Sequence, residues 1–550
     1  MSRSRHPAFA LSLVLVSSSF CQLGCGGHTR SKSNDGTPSL SGGTAGTINT
    51  DHAGTSTTST TSTAGMTSSG GSNSAAQGGT SGTAATTSGN GGTEAVSSAA
   101  GSSGIGGTAA GGTAPVSCPS LPTTPIAASN IIQFNDNGAW NWFQDERVVV
   151  DQTANKFVIG SVASGGLRNG NIEAVIYDIA TGSKQQFTLG VGDIDDRNAP
   201  AFVVRPDGKY AAAWAIRHQN CYSYSSVFDG ATWSEAAKFD WTSLGCPWDG
   251  ATGNQKIIYA NPWYLAAENK IYSAVRSINV TPNFLVSSDG GQTYTYFGQL
   301  IAPPLTGIVS GYYKYWGNGS DRIDFVGTDA HPRDADNSLW HGYLKGGKLY
   351  DSKDKLVDDN AADKNAQQLD QFTTAVATGT TIGNVQLRHL WNHDLVRYPD
   401  GSISVLAQGR VDGSNADDPD MRLFYARFDG STWKTTYLAK AGRKLLSEEQ
   451  DFTGLGALHP DNPNIIFIST NVDPRDDTTA LSRHEIFEGV TCDHGASWKW
   501  ASLTQDSTLD NLRPVVPKWD ASHTLLLWLK GRYNSGQNYS LAVVGTTTGL

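Results

Sequence analysis

An eight-residue pattern that occurs twice constrains the fold of this chain more than any other feature. Ser287–Tyr294 reads S-S-D-G-G-Q-T-Y, and Thr491–Trp498 reads T-C-D-H-G-A-S-W, about three and a half repeat units later. In each octet the aspartate suits the backbone N–H groups of a tight turn, the glycine suits a positive φ, and the hydroxyl suits a neighbouring carbonyl. The closing aromatic residue is expected to lie under the turn. Each octet therefore predicts a hairpin between two β-strands.

Two further turn signatures are also duplicated, in the same order as the octets. They are P-D-G at 206–208 and 399–401, and F-D-G-x-T-W at 228–233 and 428–433. Within each copy, the F-D-G-x-T-W turn and the octet that follows it lie about 60 residues apart, which is the length of a four-stranded blade with its turns. Residues 125–550 thus accommodate seven blades. We expect an all-β fold, a seven-bladed β-propeller, in which Arg147–Val150 and Ser540–Val544 share a blade and close the ring.

The chain divides by composition into three parts. Residues 1–25 carry Arg3, Arg5 and the apolar run Ala8–Val16, as in a signal peptide, and Leu23-Gly24-Cys25 fits a lipoprotein cleavage box with Cys25 as the lipidated residue. Residues 26–117 consist almost entirely of Gly, Ser, Thr and Ala, which predicts a disordered linker. Residues 118–550 form the propeller. We expect an exported outer-membrane or cell-surface lipoprotein, with simple secretion as the alternative.

The net charge and the cysteines limit the classes of partner and metal ion that the chain is expected to bind. A net charge of −10 and a pI near 5.6 argue against a general nucleic-acid partner or an anionic membrane surface, so the membrane is reached only through the lipid anchor. Cys221 and Cys246 are expected to form a disulfide. The alternative is a zinc site of two or more cysteines with His218, although no C-x-x-C spacing supports it. We assign no cofactor or metal ligand, and a structural calcium or zinc ion stays open. We expect a monomer.

Several polar and aromatic segments flank the predicted hairpins, where propeller loops converge over the central channel. The sequence lacks the nucleophile elbow, the zinc-protease motif and the glycine-rich phosphate and dinucleotide loops. His218 and Tyr259 are candidate acid or base groups, and Arg276 is a candidate carboxylate-binding group; candidate substrate-binding groups are Arg197, Tyr312, Lys314, Tyr315, His331, Arg333 and His393. Structural roles for the same residues remain the alternative.

These segments together resemble the BNR/Asp-box propellers that include the ulvan lyases and related rhamnose–glucuronate-active enzymes. The resemblance rests on N-G-A-W-N-W-F-Q-D-E-R (137–147), Y-K-Y-W (313–316), T-D-A-H-P-R (328–333), His484–Trp498, and L-R-P-V-V-P (512–517) with W-L-K-G-R-Y (528–533). It implies β-elimination on a uronate-containing polysaccharide, with His218, Tyr259, Arg276 and Tyr312 in the catalytic positions. Arg197 stands where a second histidine is expected, and arginine is a poor base because it stays protonated.

The sequence thus predicts a polysaccharide lyase whose partner is an acidic, ulvan-like polysaccharide. Two alternatives remain open at this point. One is a glycoside hydrolase acting on rhamnose–glucuronate glycans, and the other is a glycan-binding propeller without catalysis.

Overall fold

The computed structural model describes residues 118–549, apart from residues 143, 146, 218, 247–256, 303–310, 364 and 448 and the side chain of Asn279. The regular secondary structure of the described chain consists almost entirely of β-strands. Its short 3₁₀ turns are Ala128–Asn130, Gly166–Arg168, Asp196–Asn198, Thr242–Leu244, Ile278–Val280 and Leu369–Gln371. No helix in these ranges is both long enough and apolar enough to cross a membrane.

Seven antiparallel sheets follow one another along the chain and form the seven blades of a β-propeller. The first strand among the described residues is β1 (Ile132–Asn135). Blade 1 contains β2 (Val148–Asp151), β3 (Lys156–Val162), β4 (Asn171–Asp178) and β5 (Lys184–Val191). Blade 2 contains β6 (Ala201–Val204), β7 (Tyr210–Ala215), β8 (Tyr222–Phe228) and β9 (Ala237–Asp240). Blade 3 contains β10 (Ile258–Leu265), β11 (Lys270–Arg276), β12 (Pro282–Ser287) and β13 (Thr295–Gln299).

The remaining blades include the two largest sheets. Blade 4 contains β14 (Tyr313–Gly317), β15 (Arg322–Thr328), β16 (Leu339–Lys345), β17 (Lys348–Asp351), β18 (Leu356–Asp358) and β19 (Thr373–Val376). Blade 5 contains β20 (Thr380–Ile382), β21 (Val385–Arg397), β22 (Ile403–Val411), β23 (Met421–Phe428) and β24 (Trp433–Lys440). Blade 6 contains β25 (Gly456–Leu458), β26 (Ile465–Val472), β27 (Ala480–Val490) and β28 (Lys499–Ser502), and blade 7 contains β29 (Asp510–Val515), β30 (Thr524–Ser535), β31 (Asn538–Thr548) and β1.

The ring is closed by strands from the two ends of the domain. β1 pairs with β31, with Ile132 opposite Gly545, and so becomes the outermost strand of blade 7. The prediction that strands from the two ends of the domain share a blade is therefore confirmed. The N-terminal strand of that blade is Ile132–Asn135 and not Arg147–Val150. The run Arg147–Val150 instead leads into β2, the innermost strand of blade 1, because the chain first crosses the channel between β1 and β2.

Both octets form the turn between the third and fourth strands of a blade, in blades 3 and 6. The Asp289 carboxylate accepts hydrogen bonds from Ser287 Oγ (2.7 Å), the Thr293 backbone N–H (3.0 Å) and Thr293 Oγ1 (2.6 Å). Asp493 is bonded in the same way, and hydrogen bonds led by that from Ser497 lower its pKa to about 2. The hydroxyls thus bind the carboxylate rather than a neighbouring carbonyl, which corrects that detail of the sequence expectation.

The glycine in each octet allows the turn to lie against the preceding blade. Gly291 and Gly495 both have a φ of 88°. A Cβ on Gly495 would come within 2.3 Å of Tyr425 in blade 5, so a side chain there would be both strained and obstructed. The octets therefore help fix the packing between neighbouring blades as well as the hairpins themselves.

All three duplicated signatures recur three blades apart, not three and a half. The P-D-G and F-D-G-x-T-W turns lie in blades 2 and 5, and the octets in blades 3 and 6. The spacing is longer than three ordinary blades because blade 4 carries the additional strands β18 and β19. These turns all lie on one face of the ring, since strands alternate in direction. The opposite face carries the loops that precede each inner strand and join the second strand to the third.

A segment between β1 and β2 crosses the central channel; we call residues 139–147 the plug. The Trp142 indole N–H donates to the Thr453 carbonyl (2.6 Å), and Gln144 Nε2 donates to the Arg197 carbonyl (2.9 Å). Arg147 Nη2 donates to Asn261 Oδ1 (2.8 Å). Trp142 and Arg147 are both fully buried. One segment thus contacts strands or loops from opposite sides of the ring.

Two disulfides connect distant parts of the described chain. Cys221–Cys246 agrees with the sequence prediction, and Cys118–Cys492, which was not predicted, links the start of the domain to the octet of blade 6. Cys221 follows Arg217 closely, and Cys246 precedes the segment that leads to β10. The Cys221–Cys246 bond therefore restrains two loops on the same face.

We expect that changing both Cys221 and Cys246 to serine will lower the free energy of unfolding by about 2–4 kcal/mol, because the unfolded chain regains the freedom of the closed loop. Chemical denaturation of the oxidised proteins measures this difference. Peptide mapping under non-reducing conditions should find Cys221 linked to Cys246 and Cys118 linked to Cys492. A mapped pairing of Cys221 with Cys118 or Cys492 would contradict the assignment.

Candidate functional site

Four of the predicted site residues lie near the first residues of β6, β10 and β14, the inner strands of blades 2, 3 and 4. They are Arg197, Tyr259, Arg276 and Tyr312. Tyr259 lies at the start of β10, in a bulge where the register with β11 shifts between Ile258 and Asn261. Its φ is 63°, an uncommon conformation for a bulky residue. Such backbone strain is concentrated at functional sites, so the bulge marks Tyr259 as a candidate functional residue.

The Tyr259 ring lies near an aromatic group from blade 4 and a cationic group from its own blade. Its centroid is 6.4 Å from that of Tyr312, and the Arg276 guanidinium carbon lies 4.7 Å from the centre of the Tyr312 ring. Arg276 Nε also donates to the Val280 carbonyl (3.1 Å). Burial raises the pKa of Tyr259, although the nearby arginines oppose that shift. Tyr259 is therefore protonated at neutral pH and able to donate a proton.

Two arginines approach Tyr259 from blade 2. Arg197 Nη1 lies 3.2 Å from Asp195 Oδ1 and 3.4 Å from Asp196 Oδ1, and Arg217 Nη1 lies 3.0 Å from Asp195 Oδ2. Arg197 and Arg217 are both within electrostatic reach of the Tyr259 phenol. Their carboxylate partners hold the guanidinium groups in place, so the positive charge at this position is built into the fold.

The buried carboxyl of Asp196 links this pair to the last blade. It accepts hydrogen bonds from Tyr533 Oη (2.8 Å) and from Asn141 of the plug (2.9 Å). Burial, opposed by the charge of Arg197, raises its pKa to about 6. Asp196 thereby connects Arg197 to both the plug and blade 7.

His331, Arg333 and Glu449 form the other side of the site. The His331 ring packs edge-on against Tyr312, with centroids 5.1 Å apart. Arg333 Nη1 lies 2.8 Å from Glu449 Oε1, and His331 Nε2 lies 4.0 Å from Glu449 Oε2. Because the Arg333 backbone N–H donates to His331 Nδ1 (3.1 Å), the proton of the neutral imidazole is on Nε2.

His331 is consequently a hydrogen-bond donor rather than a base. Burial, with the charges of Arg333 and Arg276, lowers its pKa to about 3. The ring is therefore neutral at ordinary pH, and its one acceptor nitrogen is already occupied by the Arg333 backbone.

Three other predicted contacts are buried next to these groups. Lys314, Tyr315 and His393 are 2%, 6% and 0% exposed, and Tyr259 is as buried as Tyr315. Lys314 Nζ donates to the Gln144 carbonyl of the plug, the Tyr315 ring packs 5.6 Å from Phe284, and burial lowers the pKa of His393. Lys314 and His393 therefore support the site from within the fold, whereas Tyr315 lines the same small cavity as Tyr259, Arg276 and Tyr312.

Two predicted residues lie outside the described part of the chain. His218 follows Arg217 directly, so its neighbour reaches the site, but the position of its own side chain is not described. Cys25, the predicted lipidation site, and the predicted signal and linker segments are likewise outside it. Their assignments remain predictions.

The structure adds residues that the sequence did not single out. Asp195, Asp196 and Glu449 come from connections between blades, and Tyr533 comes from β30. Glu449 stands in S-E-E-Q-D, which has the appearance of an ordinary polar loop. Two of the added residues had a sequence signal: Arg217 adjoins His218 in a segment that flanks the P-D-G hairpin, and Tyr533 ends the W-L-K-G-R-Y segment.

A metal centre has no support among the described side chains. Within those ranges no group of three or more histidine, cysteine, aspartate or glutamate residues is arranged to hold a metal ion. The four cysteines from which the zinc alternative drew its ligands are joined in two disulfides, Cys118–Cys492 and Cys221–Cys246.

Comparison with known proteins identifies similar folds and no sequence family. No protein-family profile matches the chain, and no curated protein sequence matches it. A solved PL25 ulvan lyase bound to -[GlcA(1-4)Rha3S]- superposes with a TM-score of 0.53 at 12% identity, covering 75% of this chain and 94% of that one. A polysaccharide lyase called Uly1 gives 0.45 at 13% identity over 74% and 90%. At this identity the similarity shows the propeller fold alone.

The depressed pKa of His331 predicts a contribution to acid sensitivity. The folded state binds its proton more weakly than the unfolded chain, so stability from this group is complete above about pH 6.5 and falls as the pH is lowered towards 3. Replacing His331 by Gln should reduce the stability lost between pH 7 and pH 5 by about 2 kcal/mol. Denaturant unfolding of both proteins at the two pH values tests this. An unchanged loss in the variant would contradict the assignment.

Proposed function

We propose that this protein is an exported, surface-tethered polysaccharide lyase that cleaves a uronate-containing, ulvan-like polysaccharide by β-elimination. The observation that carries the proposal is the position of the Tyr259 phenol. It is buried beside Tyr312 and within electrostatic reach of Arg197, Arg217 and Arg276. A protonated phenol among arginines is suited to a substrate that combines a carboxylate with an oxygen leaving group.

The reaction needs three groups, and we assign a candidate residue to each. A base removes the proton from the carbon next to the uronate carboxylate, and the electron pair forms a carbon–carbon double bond as the glycosidic C–O bond breaks. The departing oxygen takes a proton from an acid. Negative charge that develops on the carboxylate is stabilised by a positioned cation.

We assign Arg276 to the carboxylate and Tyr259 to the leaving oxygen. The guanidinium can offer a planar pair of N–H groups to a carboxylate while it stays over the Tyr312 ring. His218 is the proposed base, since His331 has its acceptor nitrogen occupied and Arg197 stays protonated. Arg197 then contributes charge to substrate binding and does not replace the missing histidine in proton transfer.

The glycoside hydrolase alternative is favoured by one observation, the presence of Glu449 in the site. Hydrolysis usually uses a pair of carboxyl groups on either side of the scissile bond. Burial raises the pKa of Glu449, as suits a general acid. Product analysis separates the mechanisms, because only elimination creates an unsaturated uronate that absorbs ultraviolet light. Glycan binding without any product would support the non-catalytic propeller.

Changing Tyr259 to Phe removes one hydroxyl and should lower kcat on a uronate polysaccharide by about 10²–10⁴-fold, because the leaving oxygen loses its proton donor. Glycan affinity should change little. Ultraviolet product formation and equilibrium binding measure the two effects. Tyr264→Phe is the matched control, since Tyr264 lies on the same strand at the opposite face and bonds Asn269. Equal activity of Tyr259→Phe and wild type would exclude this role.

Changing His218 to Ala should nearly abolish turnover and spare glycan binding, because the proposed proton acceptor is lost while the arginines remain. The same two assays apply. Full activity of the variant on a glycan that the wild type cleaves would show that the base is another group.

A further inference from the structure

We infer that a cavity between blades 5 and 6, on the face of the ring opposite the candidate site, binds a neutral sugar residue of a glycan. The inference goes beyond the proposed function, because it concerns a separate place on the molecule and a sugar without a carboxylate. It follows from a comparison of the two copies of the duplicated turns. The first copy lies in blades 2 and 3, and the second copy lies in blades 5 and 6.

In the first copy an arginine closes the junction between the two blades. Arg205 precedes the P-D-G turn of blade 2, and its Nη1 donates to the carbonyl of Gly290 in the octet of blade 3 (3.0 Å). A Cβ on Gly290 would come within 2.5 Å of Arg205 Cζ, so the guanidinium lies directly on the octet. Asp207 of the same turn accepts from Arg205 Nη2 (2.8 Å) and holds the side chain in this position.

In the second copy the equivalent junction is open. Tyr398 stands at the position of Arg205, before the P-D-G turn of blade 5, but its ring is buried and its Oη donates to the His459 carbonyl (3.3 Å). The side chain is thus directed into the protein and not across the junction. A cavity of about 430 Å³ lies between this turn, β23, β24 and the octet of blade 6. Its volume is within the range of small-molecule binding sites.

A buried arginine lines this cavity, at the position where the first copy has Val227. Arg427 is 8% exposed; its Nη2 donates to Ser402 Oγ (2.9 Å) and its Nη1 to Tyr425 Oη (3.5 Å). Its ion pair with Asp400 is long, with 3.6 Å between Nη2 and Oδ2. Nε has no partner in the described part of the chain and is open to solvent, so it is available to donate to a ligand.

An acceptor and a hydroxyl lie around the same cavity. The Asp400 side chain is 61% exposed. Its Oδ1 accepts from the backbone N–H and the hydroxyl of Ser402 (2.9 and 2.6 Å), and Oδ2 is directed towards Arg427. Thr436, which is partly exposed, supplies a hydroxyl where the first copy has Ala236. The cavity therefore offers a hydrogen-bond donor, an acceptor and a group that can act as either.

A histidine with a left-handed backbone stands at the rim of the cavity. His494 occupies the octet position of Gly290, is exposed and has a φ of 58°. Such a conformation is uncommon for residues other than glycine, and strained residues are concentrated at functional sites. The differences between the copies at positions 427, 436 and 494 thus all place hydrogen-bonding groups around one cavity.

The charges around the cavity favour a neutral ligand over an anion. The cations are Arg427 and Lys434. The carboxylates are Asp400, Asp429 and Asp493, so negative side chains outnumber lysine and arginine by three to two. A sugar carboxylate would be repelled by this excess. The hydroxyls of a neutral sugar can instead donate to Asp400 and accept from Arg427.

The test uses diazirine-tagged glycosides of rhamnose, glucose, galactose, mannose and glucuronate, with peptide mapping after photo-crosslinking. At least one of the four neutral probes should label residues 421–436 or 491–498 of the wild-type protein. An excess of the same untagged glycoside should remove this label. The glucuronate probe should label these residues at least about fivefold less, because of the excess negative charge.

Variants that restore residues of the first copy test the assignment. Arg427→Val should weaken binding of the labelling sugar at this cavity at least about tenfold, because a charged donor is lost. His494→Gly should weaken it about threefold, while glycine accepts the positive φ without strain. Asn155→Gly is the matched control, since Asn155 is an exposed residue with a φ of 56° in a turn on the same face of blade 1. If Arg427→Val does not fold, Thr436→Ala combined with His494→Gly replaces it.

The outcomes are independent of the proposed function. The inference fails if no neutral probe labels this cavity, if glucuronate labels it equally, or if the folded variants retain full labelling. None of these results bears on elimination, which the Tyr259 and His218 variants test separately. A protein that is labelled here as expected but has no lyase activity would support the inference and overturn the proposed function.

Discussion

The plug is the constraint on which the site depends. A propeller blade makes most of its contacts with its two neighbours, so residues on opposite sides of the channel need a common support. The plug provides it: Gln144 binds the Arg197 carbonyl, Asn141 binds Asp196, and the Gln144 carbonyl accepts from both Lys314 and Arg513. Loss of these buried bonds would release the loop that carries Arg197 even if every blade remained folded.

Most of the fold was predictable because its information is local. A turn such as Asp289 with Thr293 is completed within eight residues, so its sequence signature survives without knowledge of the rest of the chain. The blade count followed from the spacing of these turns. The number of blades between the two copies of each turn was overestimated, because β18 and β19 lengthen blade 4 without adding a blade. The strand that closes the ring was misplaced, because nothing local distinguishes Ile132–Asn135 from the inner strand that follows the plug.

The site was predictable only in part, for the same reason. Tyr259, Arg276 and Tyr312 could be named because they flank hairpins and fit a family pattern, and the structure brings them together. Alternation along a strand does not show which residues near the channel are exposed, so Lys314 and His393 were named although both are buried. Glu449 could not be found, because its importance comes from Arg333 and His331, more than a hundred residues earlier in the chain.

The ion pairs between arginine and carboxylate side chains in the site also affect how strongly it would bind an anionic substrate. Arg197, Arg217 and Arg333 already contact carboxylates, so an incoming anion has to share these guanidinium groups with residues of the protein. Such sharing gives less affinity than a bare cation would, but it keeps each arginine oriented without the substrate. Orientation matters more than affinity for elimination, because charge stabilisation lowers the barrier only when it is aimed at the transition state. If the proposed lyase activity holds, this arrangement favours weak binding at each sugar over tight binding at one.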